Sequence, residues 1–152
     1  MAKANLRIRL VKTKNEIKQI LKVREIVFIE EQKIPKQIER DGFDISAEHF
    51  IVFYKRKPIG CARIRFIEKN AKLERIALLK KYRGKGFGKE IVDCLIRYCK
   101  ITSVDKVVMN SQYYLKDFYK KFGFKTADKP FTEADMKHIK MQLIVRNSKK
   151  NI

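Results

Sequence analysis

A glycine-rich segment of the sequence combines the residue types that bind phosphate. It reads Arg83-Gly84-Lys85-Gly86-Phe87-Gly88-Lys89 and lies between a predicted strand and a predicted helix. At the start of a helix the backbone N–H groups lack an intrahelical partner, so they can point at an anion, and the helix dipole adds attraction. Glycines let a ligand approach the backbone closely, and the three cations add positive charge. The segment therefore predicts a diphosphate site.

Several kinds of glycine-rich segment compete as interpretations. A Walker loop needs Gly-Lys followed by Ser or Thr, but here Lys85 is followed by Gly86 and Lys89 by Glu90. A dinucleotide-binding loop follows the first strand of a βαβ unit, whereas this segment follows the fourth predicted strand and a hairpin. A glycine-rich turn without a ligand and the coenzyme A loop, with the pattern Gln/Arg-x-x-Gly-x-Gly, remain. We prefer the coenzyme A loop because the segment joins a strand to a helix.

Hydrophobic periodicity predicts the elements that hold this segment in place. Alternating residues indicate strands, and apolar residues at helical spacing indicate amphipathic helices. The first half of the sequence predicts a strand at 6–11, a helix at 14–31, a loop at 33–47, and strands at 49–54, 58–67 and 72–79. The first two strands of that last group form a predicted hairpin around Lys55-Arg56-Lys57. The loop at 33–47 concentrates acids in a chain that has few, which indicates a functional loop.

In the second half of the sequence, helices alternate with strands. We predict helices at 90–100 and 114–122, strands at 106–109 and 138–145, and a frayed basic tail at 146–152. Gly123 is the predicted C-cap of the second of these helices. The order strand, helix, three strands, helix, strand, helix, strand predicts an α/β (α+β) fold with a mixed, mostly antiparallel sheet. The length of 152 residues predicts one domain, 1–152.

The net charge of the chain indicates which classes of partner it could bind. Lys and Arg number 37 against 17 Asp and Glu, which gives a formal net charge of +20. Such a charge favours nucleic acid, acidic membrane surfaces or anionic small molecules. The lysines are scattered along the whole sequence, whereas a nucleic-acid module often concentrates them on one face or in a tail. We therefore expect no nucleic-acid partner, and a solvated basic surface remains the alternative.

Cysteine and histidine placement argues against metal or disulfide chemistry. Cys61, Cys94 and Cys99 are odd in number and lack CxxC spacing, so we expect reduced core residues. The two histidines, His49 and His138, are far apart, and neither lies beside a cysteine. No run reaches the ~18 apolar residues of a membrane span, and the N-terminus lacks an apolar signal core. We expect a cytoplasmic protein without a metal and without membrane association.

Taken together, these pieces resemble the GNAT superfamily of acetyltransferases, in the branch of YjcF-like and ElaA-like bacterial proteins. The resemblance covers nearly the whole chain and is more specific than the glycine loop alone. The matching pieces are Val27-Phe28-Ile29-Glu30-Glu31-Gln32 with Glu39, Asp41 and Asp44, His49, Leu73-Glu74-Arg75-Ile76-Ala77-Leu78, the glycine segment, Ser111-Gln112, Phe118-Tyr119-Lys120-Lys121-Phe122-Gly123-Phe124, and His138-Ile139-Lys140-Met141.

The resemblance implies the GNAT fold, a sheet splayed between its fourth and fifth strands, with acetyl-coenzyme A as cosubstrate. The pantetheine arm would lie between those strands and bond the backbone of Ile76, Ala77 and Leu78 as an added strand would. Residues Arg83 to Lys89 would hold the diphosphate. Gln112 and Phe118 are further predicted contacts of the cosubstrate. The side chains of Ile76 and Leu78 can pack in the core at the same time.

Acetyl transfer to an amine also needs an acid and a base. A backbone N–H of Ala77 or Leu78 would polarise the thioester carbonyl. Tyr119, at the position where GNAT enzymes often place the general acid, is a phenol of pKa ~10 facing a thiolate whose thiol is near ~8.5. Tyr113 and Tyr114 are alternatives if the helix is rotated.

Glu74 is the first candidate for the base, acting directly or through a water. An ion pair of Glu74 with Arg75, Lys72 or another cation is the competing interpretation. Glu31 and the acidic loop are the second candidates for the base. The competing interpretation is that these acids are ordinary surface charges. The predicted acceptor-binding residues are Glu31, Gln32, His49, Arg75 and His138. For the two histidines, packing or hydrogen bonding is the alternative.

The acceptor is a primary amine that the resemblance does not specify. The positive charge favours an anionic acceptor such as an amino-sugar phosphate, with glucosamine 6-phosphate the first candidate, while the acidic loop favours a cationic amine. Polyamines, amino acids and protein amines remain alternatives. A non-catalytic nucleic-acid-binding protein is the alternative from another class. The family habit of pairing through the C-terminal strand makes a homodimer the expected assembly.

Overall fold

Within the residues that the computed structural model describes, 1–146, the chain forms eight strands and four α-helices. The strands are β1 (Leu6–Leu10), β2 (Glu48–Tyr54), β3 (Lys57–Ile67), β4 (Asn70–Leu78), β5 (Lys106–Gln112), β6 (Lys125–Thr126), β7 (Phe131–Glu133) and β8 (Met136–Ile144). The helices are α1 (Lys14–Arg24), α2 (Lys36–Glu39), α3 (Phe87–Ile101) and α4 (Lys116–Lys120). Apart from Arg146, the predicted basic tail at 146–152 lies outside the described residues.

The first of two compact units comprises Met1–Arg65 and Glu74–Cys94. In it β1 pairs antiparallel with β2, from Leu6 opposite Tyr54 to Leu10 opposite Phe50, and β2 pairs antiparallel with β3. Apolar residues of α1, the segment after it and the strands form its core, consisting of Ile20, Val23, Val27, Phe28, Ile51, Cys61 and Ala77. The alternation of strand residues and the helical spacing in α1 thus bury one face of each element.

The second unit comprises Phe66–Leu73 and the chain from Leu95 onward. In it β5 pairs antiparallel with β8, from Lys106 opposite Ile144 to Gln112 opposite His138. The short strands β6 and β7 also pair with β8. Its fully buried apolar side chains include Leu95, Cys99, Val107 and Met141.

The strand order is β1-β2-β3-β4-β5-β8-β6, with β7 on β8. The pair β4–β5 is parallel. The pairs β1–β2, β2–β3, β5–β8, β6–β8 and β7–β8 are antiparallel. This confirms the predicted mixed, mostly antiparallel sheet. The parallel ladder joins Asn70–Lys72 to residues 106–108, while β4 continues to Leu78 and β5 to Gln112.

The predicted single helix at 14–31 is wrong in its second half. Thr13 caps α1, because its side-chain oxygen accepts a hydrogen bond from the backbone N–H of Glu16. After Arg24 the chain continues as a π-helix, Glu25–Glu31, in which the N–H of Gln32 donates to the carbonyl of Val27 over 3.2 Å. The wider turn keeps Val27 and Phe28 in the core that Val23 enters one turn earlier. Apolar spacing alone does not distinguish the two kinds of turn.

Other element bounds also differ from the prediction. The predicted loop at 33–47 contains the four-residue α2, and α3 begins at Phe87 instead of Glu90. Phe87 is fully buried and its ring lies 5.5 Å from that of Tyr54, so packing draws the start of the helix into the glycine segment. The sequence missed β6 and β7, since strands of two and three residues are too short to show alternation.

Every helix within residues 1–146 is too short or too polar to span a lipid bilayer.

Candidate functional site

The glycine segment forms an open loop at the start of α3. Gly84 and Gly86 have φ values of +75° and +84°, a region that favours glycine. A Cβ built on Gly84 would have no neighbour within 4 Å. The first helical hydrogen bond runs from the N–H of Glu90 to the carbonyl of Gly86, over 3.3 Å. The preceding helix N–H groups, those of Phe87, Gly88 and Lys89, therefore lack a helical acceptor. These residues fit an anionic diphosphate.

The cations of the loop are already partly engaged by carboxylates. Arg83 donates from Nε to the carbonyl of Leu78 over 2.9 Å, and its Nη2 lies 3.1 and 2.9 Å from the two carboxylate oxygens of Glu31. Glu31, an expected acceptor contact, thus lies against the loop arginine. Lys89 pairs with Asp93 over 3.0 Å, and Lys85 is exposed. A diphosphate entering the loop would compete with Glu31 for Arg83.

Lys3 is a residue near the loop that sequence analysis missed. Its Nζ forms an ion pair of 3.3 Å with Glu90, and its Cε would lie 3.3 Å from a Cβ on Gly86. No sequence signal links an N-terminal lysine to this loop, because periodicity describes an element and not its neighbours.

The strand that precedes the loop is irregular where the resemblance places the acetyl group. Arg75 has φ of +54°, and burial does not alternate over residues 74–76. The carbonyl of Arg75 accepts a hydrogen bond of 3.4 Å from the thiol of Cys61, whose pKa burial raises to about 12. A Cβ on Gly60 would lie 2.7 Å from the carbonyl oxygen of Ala77, so β3 needs glycine there. A left-handed residue inside a strand changes the direction of the backbone groups beside it.

An ion network in the first unit contains most of the acidic loop. We define it as Arg24, Glu39, Arg40, Asp41, Asp44, Arg63, Arg65, Glu74 and Arg75. Glu39, which is 1% exposed, accepts bonds from the Nε of Arg24 and the Nε of Arg75, each over 2.9 Å. Arg40 adds a third contact to its carboxylate, over 2.8 Å. Glu39 thus ties α1, α2 and β4 together.

Arg63, a fully buried residue of β3, is the second centre of the ion network. Its guanidinium lies 2.6 Å from Asp41 and 2.9 Å from Asp44. It also lies 2.9 Å from Oε1 of Glu74, which Arg65 contacts over 2.6 Å. Glu74, the predicted base, is therefore ion-paired in this structure, with Arg63 and Arg65 as the cations. Its role as a base stays a prediction.

Arg75, an expected acceptor contact, belongs to the same ion network. Besides Glu39 it contacts Asp41 over 3.2 Å and the carbonyl of residue 39 over 2.9 Å. The acidic loop that appeared functional in the sequence is thus held by the arginines of α1, β3 and β4. Because a guanidinium presents fixed pairs of donors, this arrangement sets the loop conformation.

Acid should weaken this network. Burial raises the pKa values of Asp41 and Asp44, but hydrogen bonds from Arg63 and Arg24 outweigh it and hold both below their usual range. The stabilisation is therefore complete above the unfolded-state pKa, about 3.9, and is lost as the pH falls through the folded-state values. We expect Asp41→Asn to lower the urea midpoint at pH 6 and to flatten its decline between about pH 5 and pH 3.

The control is Asp135→Asn, at an exposed position with φ of +58° that asparagine also tolerates. Its urea midpoint should follow the wild-type pH dependence. An Asp41→Asn curve parallel to the wild type would show that the Asp41 pairs contribute nothing to acid sensitivity.

His49 lies beside a cavity in the first unit. The cavity has a volume of about 620 Å³ and is bordered by the end of β1, the start of α1 and residues 44–49, with apolar walls that include Ile17 and Leu21. The Nε2 of His49 lies 2.7 Å from the carbonyl of Asp44. Its Nδ1 and the Nε of Arg63, residues opposite each other on β2 and β3, are buried without a partner among residues 1–146. The cavity borders neither Glu74 nor the glycine loop.

Tyr119 belongs to the second unit, on α4. It is 6% exposed, and its ring makes edge contacts with Phe118 at 5.1 Å and Phe124 at 6.0 Å. Burial, with the nearby charge of Tyr114, raises the pKa of Tyr119 to about 12. The phenol therefore keeps its proton at every physiological pH, as a general acid must before it reacts.

Gln112 and His138 are opposite each other in the β5–β8 ladder. The amide of Gln112 lies 3.9 Å from the sulfur of Met136. His138 is 7% exposed, its Nδ1 lies 2.8 Å from the carbonyl of Met136, and its ring stacks on Phe131 at 5.9 Å. The packed and hydrogen-bonded alternative thus describes the geometry of His138, and its contact with the acceptor stays a prediction.

Cys61 and Cys99 are buried, as the sequence predicts for core thiols, and Cys94 is half-buried. Within residues 1–146, none of the three forms a disulfide. In the described part of the chain, no group of three or more His, Cys, Asp or Glu side chains is arranged to hold a metal ion.

The chain is similar to known proteins over most of its length. Residues 15–145 match the acetyltransferase (GNAT) domain family. The chain is 34% identical to the uncharacterised protein YyaT of Bacillus subtilis over 139 residues, covering 90% of this chain and 94% of the relative. It is 33% identical to the uncharacterised N-acetyltransferase YjcF of the same bacterium over 133 residues, covering 87% of this chain and 95% of the relative.

Solved structures show the same fold. Escherichia coli ElaA superposes with a TM-score of 0.83 at 23% identity, covering 90% of this chain and 98% of ElaA. A GNAT family acetyltransferase from Elizabethkingia anophelis, solved with acetyl-CoA bound, has a TM-score of 0.72 at 18% identity, covering 92% of this chain and 98% of that chain. The predicted GNAT fold is confirmed.

Proposed function

Because the chain belongs to the GNAT acetyltransferase family, we propose that it transfers the acetyl group of acetyl-coenzyme A to the primary amine of a small acceptor. The first candidate acceptor is an anionic amino-sugar phosphate, glucosamine 6-phosphate, in keeping with the net charge of +20. The observation that carries the proposal is the glycine loop, whose left-handed glycines and free helix N–H groups suit a diphosphate.

The proposed reaction needs no bond to a protein side chain. The amine nitrogen attacks the thioester carbonyl carbon, a C–N bond forms, and the C–S bond then breaks. Tyr119 supplies a proton to the departing thiolate, and the proton of the amine passes to a base. Donors of the β4 backbone near Ala77 stabilise the developing oxyanion. The left-handed backbone at Arg75, with φ of +54°, supports a free N–H in that stretch.

Glu74 remains the first candidate for the base, directly or through a water. Its two arginine partners support an alternative role, in which it fixes β3 against β4 while a water carries the proton. Glu31, the second candidate, faces Arg83 and is more exposed. A homodimer is the proposed assembly.

Replacing Gly84 should weaken cosubstrate binding specifically. Gly84→Ala forces a side chain into φ of +75° although space is free, so the loop must relax away from the geometry that aims its N–H groups. Gly42→Ala is the control, because Gly42 has φ of +85°, equal free space and a position far from the loop in sequence, so the variant carries the same backbone strain.

We expect both variants to lose roughly 1 kcal/mol of unfolding free energy. Only Gly84→Ala should raise the Kd for acetyl-coenzyme A, by about tenfold in calorimetry. Equal Kd values for Gly84→Ala and Gly42→Ala would show that the glycine loop is not part of the binding site.

A thiol-release assay with acetyl-coenzyme A and a panel of amines led by glucosamine 6-phosphate tests the activity itself. Saturating acetyl-coenzyme A should also raise the melting temperature, since a ligand at 100 times its Kd stabilises by about 2.7 kcal/mol. If no amine reacts and the melting temperature stays constant, acetyl transfer is refuted. Steeply salt-dependent binding of DNA or RNA would then favour the nucleic-acid alternative.

A further inference from the structure

Two lysines converge on one phenol in the second unit. Tyr113 follows β5 directly, in a 3₁₀ turn, Tyr113–Leu115, that leads into α4. The Nζ of Lys116 lies 3.1 Å from the hydroxyl of Tyr113 and 4.4 Å from its ring centroid. The Nζ of Lys137, from β8, lies 3.9 Å from the same centroid. Lys120 is close enough for its charge to act on the phenol.

Within residues 1–146, none of these three lysines forms an ion pair with a carboxylate. Asp117 acts on Lys116 only through its charge. The hydrogen bond from Lys116 and the charges of Lys116, Lys137 and Lys120 lower the pKa of Tyr113. By contrast, the buried arginines Arg24 and Arg63 each contact carboxylates directly. Ammonium groups that are not paired with a carboxylate attract an anion.

The cluster presents donors and few acceptors. The oxygen of Tyr113 already accepts a hydrogen bond from Lys116, so its own O–H is left to donate. Each ammonium group has three N–H bonds and no acceptor. Such a set suits the oxygens of a phosphate or a carboxylate, whose hydrogen bonds to charged donors are the strong ones.

The cluster also shares its elements with residues of the proposed reaction. Lys116 precedes Tyr119 by three positions on α4, and residues three apart share a helix face. Lys137 lies on β8, and Tyr113 directly follows Gln112, a predicted contact of the cosubstrate, at the end of β5. We propose that Tyr113, Lys116 and Lys137 form a subsite that binds the phosphate or carboxylate of the acceptor amine. This inference rests on the proposed acetyl transfer, and it makes amines that carry an anionic group the preferred acceptors.

The test compares phosphorylated and unphosphorylated acceptors. The double variant Lys116→Gln/Lys137→Gln should raise the KM for glucosamine 6-phosphate by tenfold or more, roughly what losing one charge-assisted hydrogen bond costs, with little change in kcat. The KM values for glucosamine and for acetyl-coenzyme A should stay constant. Tyr113→Phe should give a smaller rise in the same KM. The control Lys100→Gln/Lys129→Gln removes the same net charge at exposed positions and should match the wild type.

The other outcomes overturn the subsite. Equal effects of the two double variants would show only a general charge effect. The Lys116→Gln/Lys137→Gln variant could instead raise the KM for acetyl-coenzyme A but not the KM for its 3′-dephospho form. That result would assign the cluster to the 3′-phosphate of the cosubstrate. A wild-type enzyme that acetylates only uncharged or cationic amines would refute the subsite and leave acetyl transfer standing.

Direct calorimetric binding of glucosamine 6-phosphate separates the two proposals. If the wild type binds glucosamine 6-phosphate but acetylates no amine of the panel, and the Lys116→Gln/Lys137→Gln variant loses that binding, the anion site stands and acetyl transfer fails. A wild type that neither binds nor acetylates any phosphorylated or carboxylated amine refutes the subsite.

Discussion

Replacing Tyr119 by phenylalanine should lower kcat by roughly 10²- to 10⁴-fold, the usual contribution of a general acid. The loss should fall on kcat and on kcat/KM alike, because the proton is needed only as the C–S bond breaks. The edge contacts with Phe118 and Phe124 involve the ring and not the hydroxyl, so the fold should be retained. Steady-state thiol release with the best acceptor measures the rate, and urea unfolding measures the stability.

Tyr114→Phe is the matched control, since it makes the same chemical change at a side chain that is 73% exposed. It should leave kcat unchanged. If Tyr119→Phe kept a normal kcat while Tyr114→Phe or Tyr113→Phe lost most of it, the general acid would be Tyr114 or Tyr113 instead. The pKa of Tyr119, raised to about 12 by burial, adds a second check. Because the phenol stays protonated well above neutrality, the wild-type kcat should not fall through Tyr119 ionisation as the pH rises from 7 to about 10.

Glu39→Gln should lower the free energy of unfolding by about 3–5 kcal/mol, the cost of breaking a buried ion pair from one side. The substitution keeps the shape of the side chain but removes the charge between Arg24 and Arg75. Among residues 1–146, Arg24, itself 1% exposed, then keeps Asp44 as its one carboxylate partner. The buried guanidinium then carries charge that water cannot reach. Urea unfolding at pH 7 measures the loss.

Glu30→Gln, an exposed glutamate five residues before Pro35, serves as the control and should change stability by less than about 0.5 kcal/mol. A similarly small effect of Glu39→Gln would mean that the ion network does not hold the acidic loop in place. The acids of the loop would then be available for a cationic acceptor, which the sequence left as an alternative. A large loss of stability with normal kcat in the folded fraction would assign Glu39 to structure alone.

The ion network shows where local sequence patterns stop being informative. Composition and spacing revealed an acidic loop, Glu39, Asp41 and Asp44, and could not tell a functional surface from a structural one. Its partners come from other elements: Glu39 bonds Arg24, 15 residues away, and Arg75, 36 residues away. An ion pair is specified by proximity in the folded chain, and no periodicity within one element encodes it. The same holds for Glu74, whose arginine partners lie on β3.

The bounds of the elements show a related limit. Strands and helices with a clear period, such as β1 and α3, follow from the pattern of apolar residues, because burial on one face requires that pattern. The π-helix Glu25–Glu31 does not, since its apolar residues satisfy a helical period as well. The start of α3 at Phe87 was also missed, because the burial of that ring against Tyr54 draws the helix into the glycine segment.

The sequence by itself determined the family, the mixed sheet and the glycine loop, because motifs and apolar periods are local properties of the chain. Tertiary structure alone decided that Arg83 pairs with Glu31, that Lys3 lies beside the glycine loop and that Lys116 and Lys137 meet at Tyr113. Each of these contacts joins residues from different elements. Their free energy depends on distance and burial, which the chain acquires only when its elements pack.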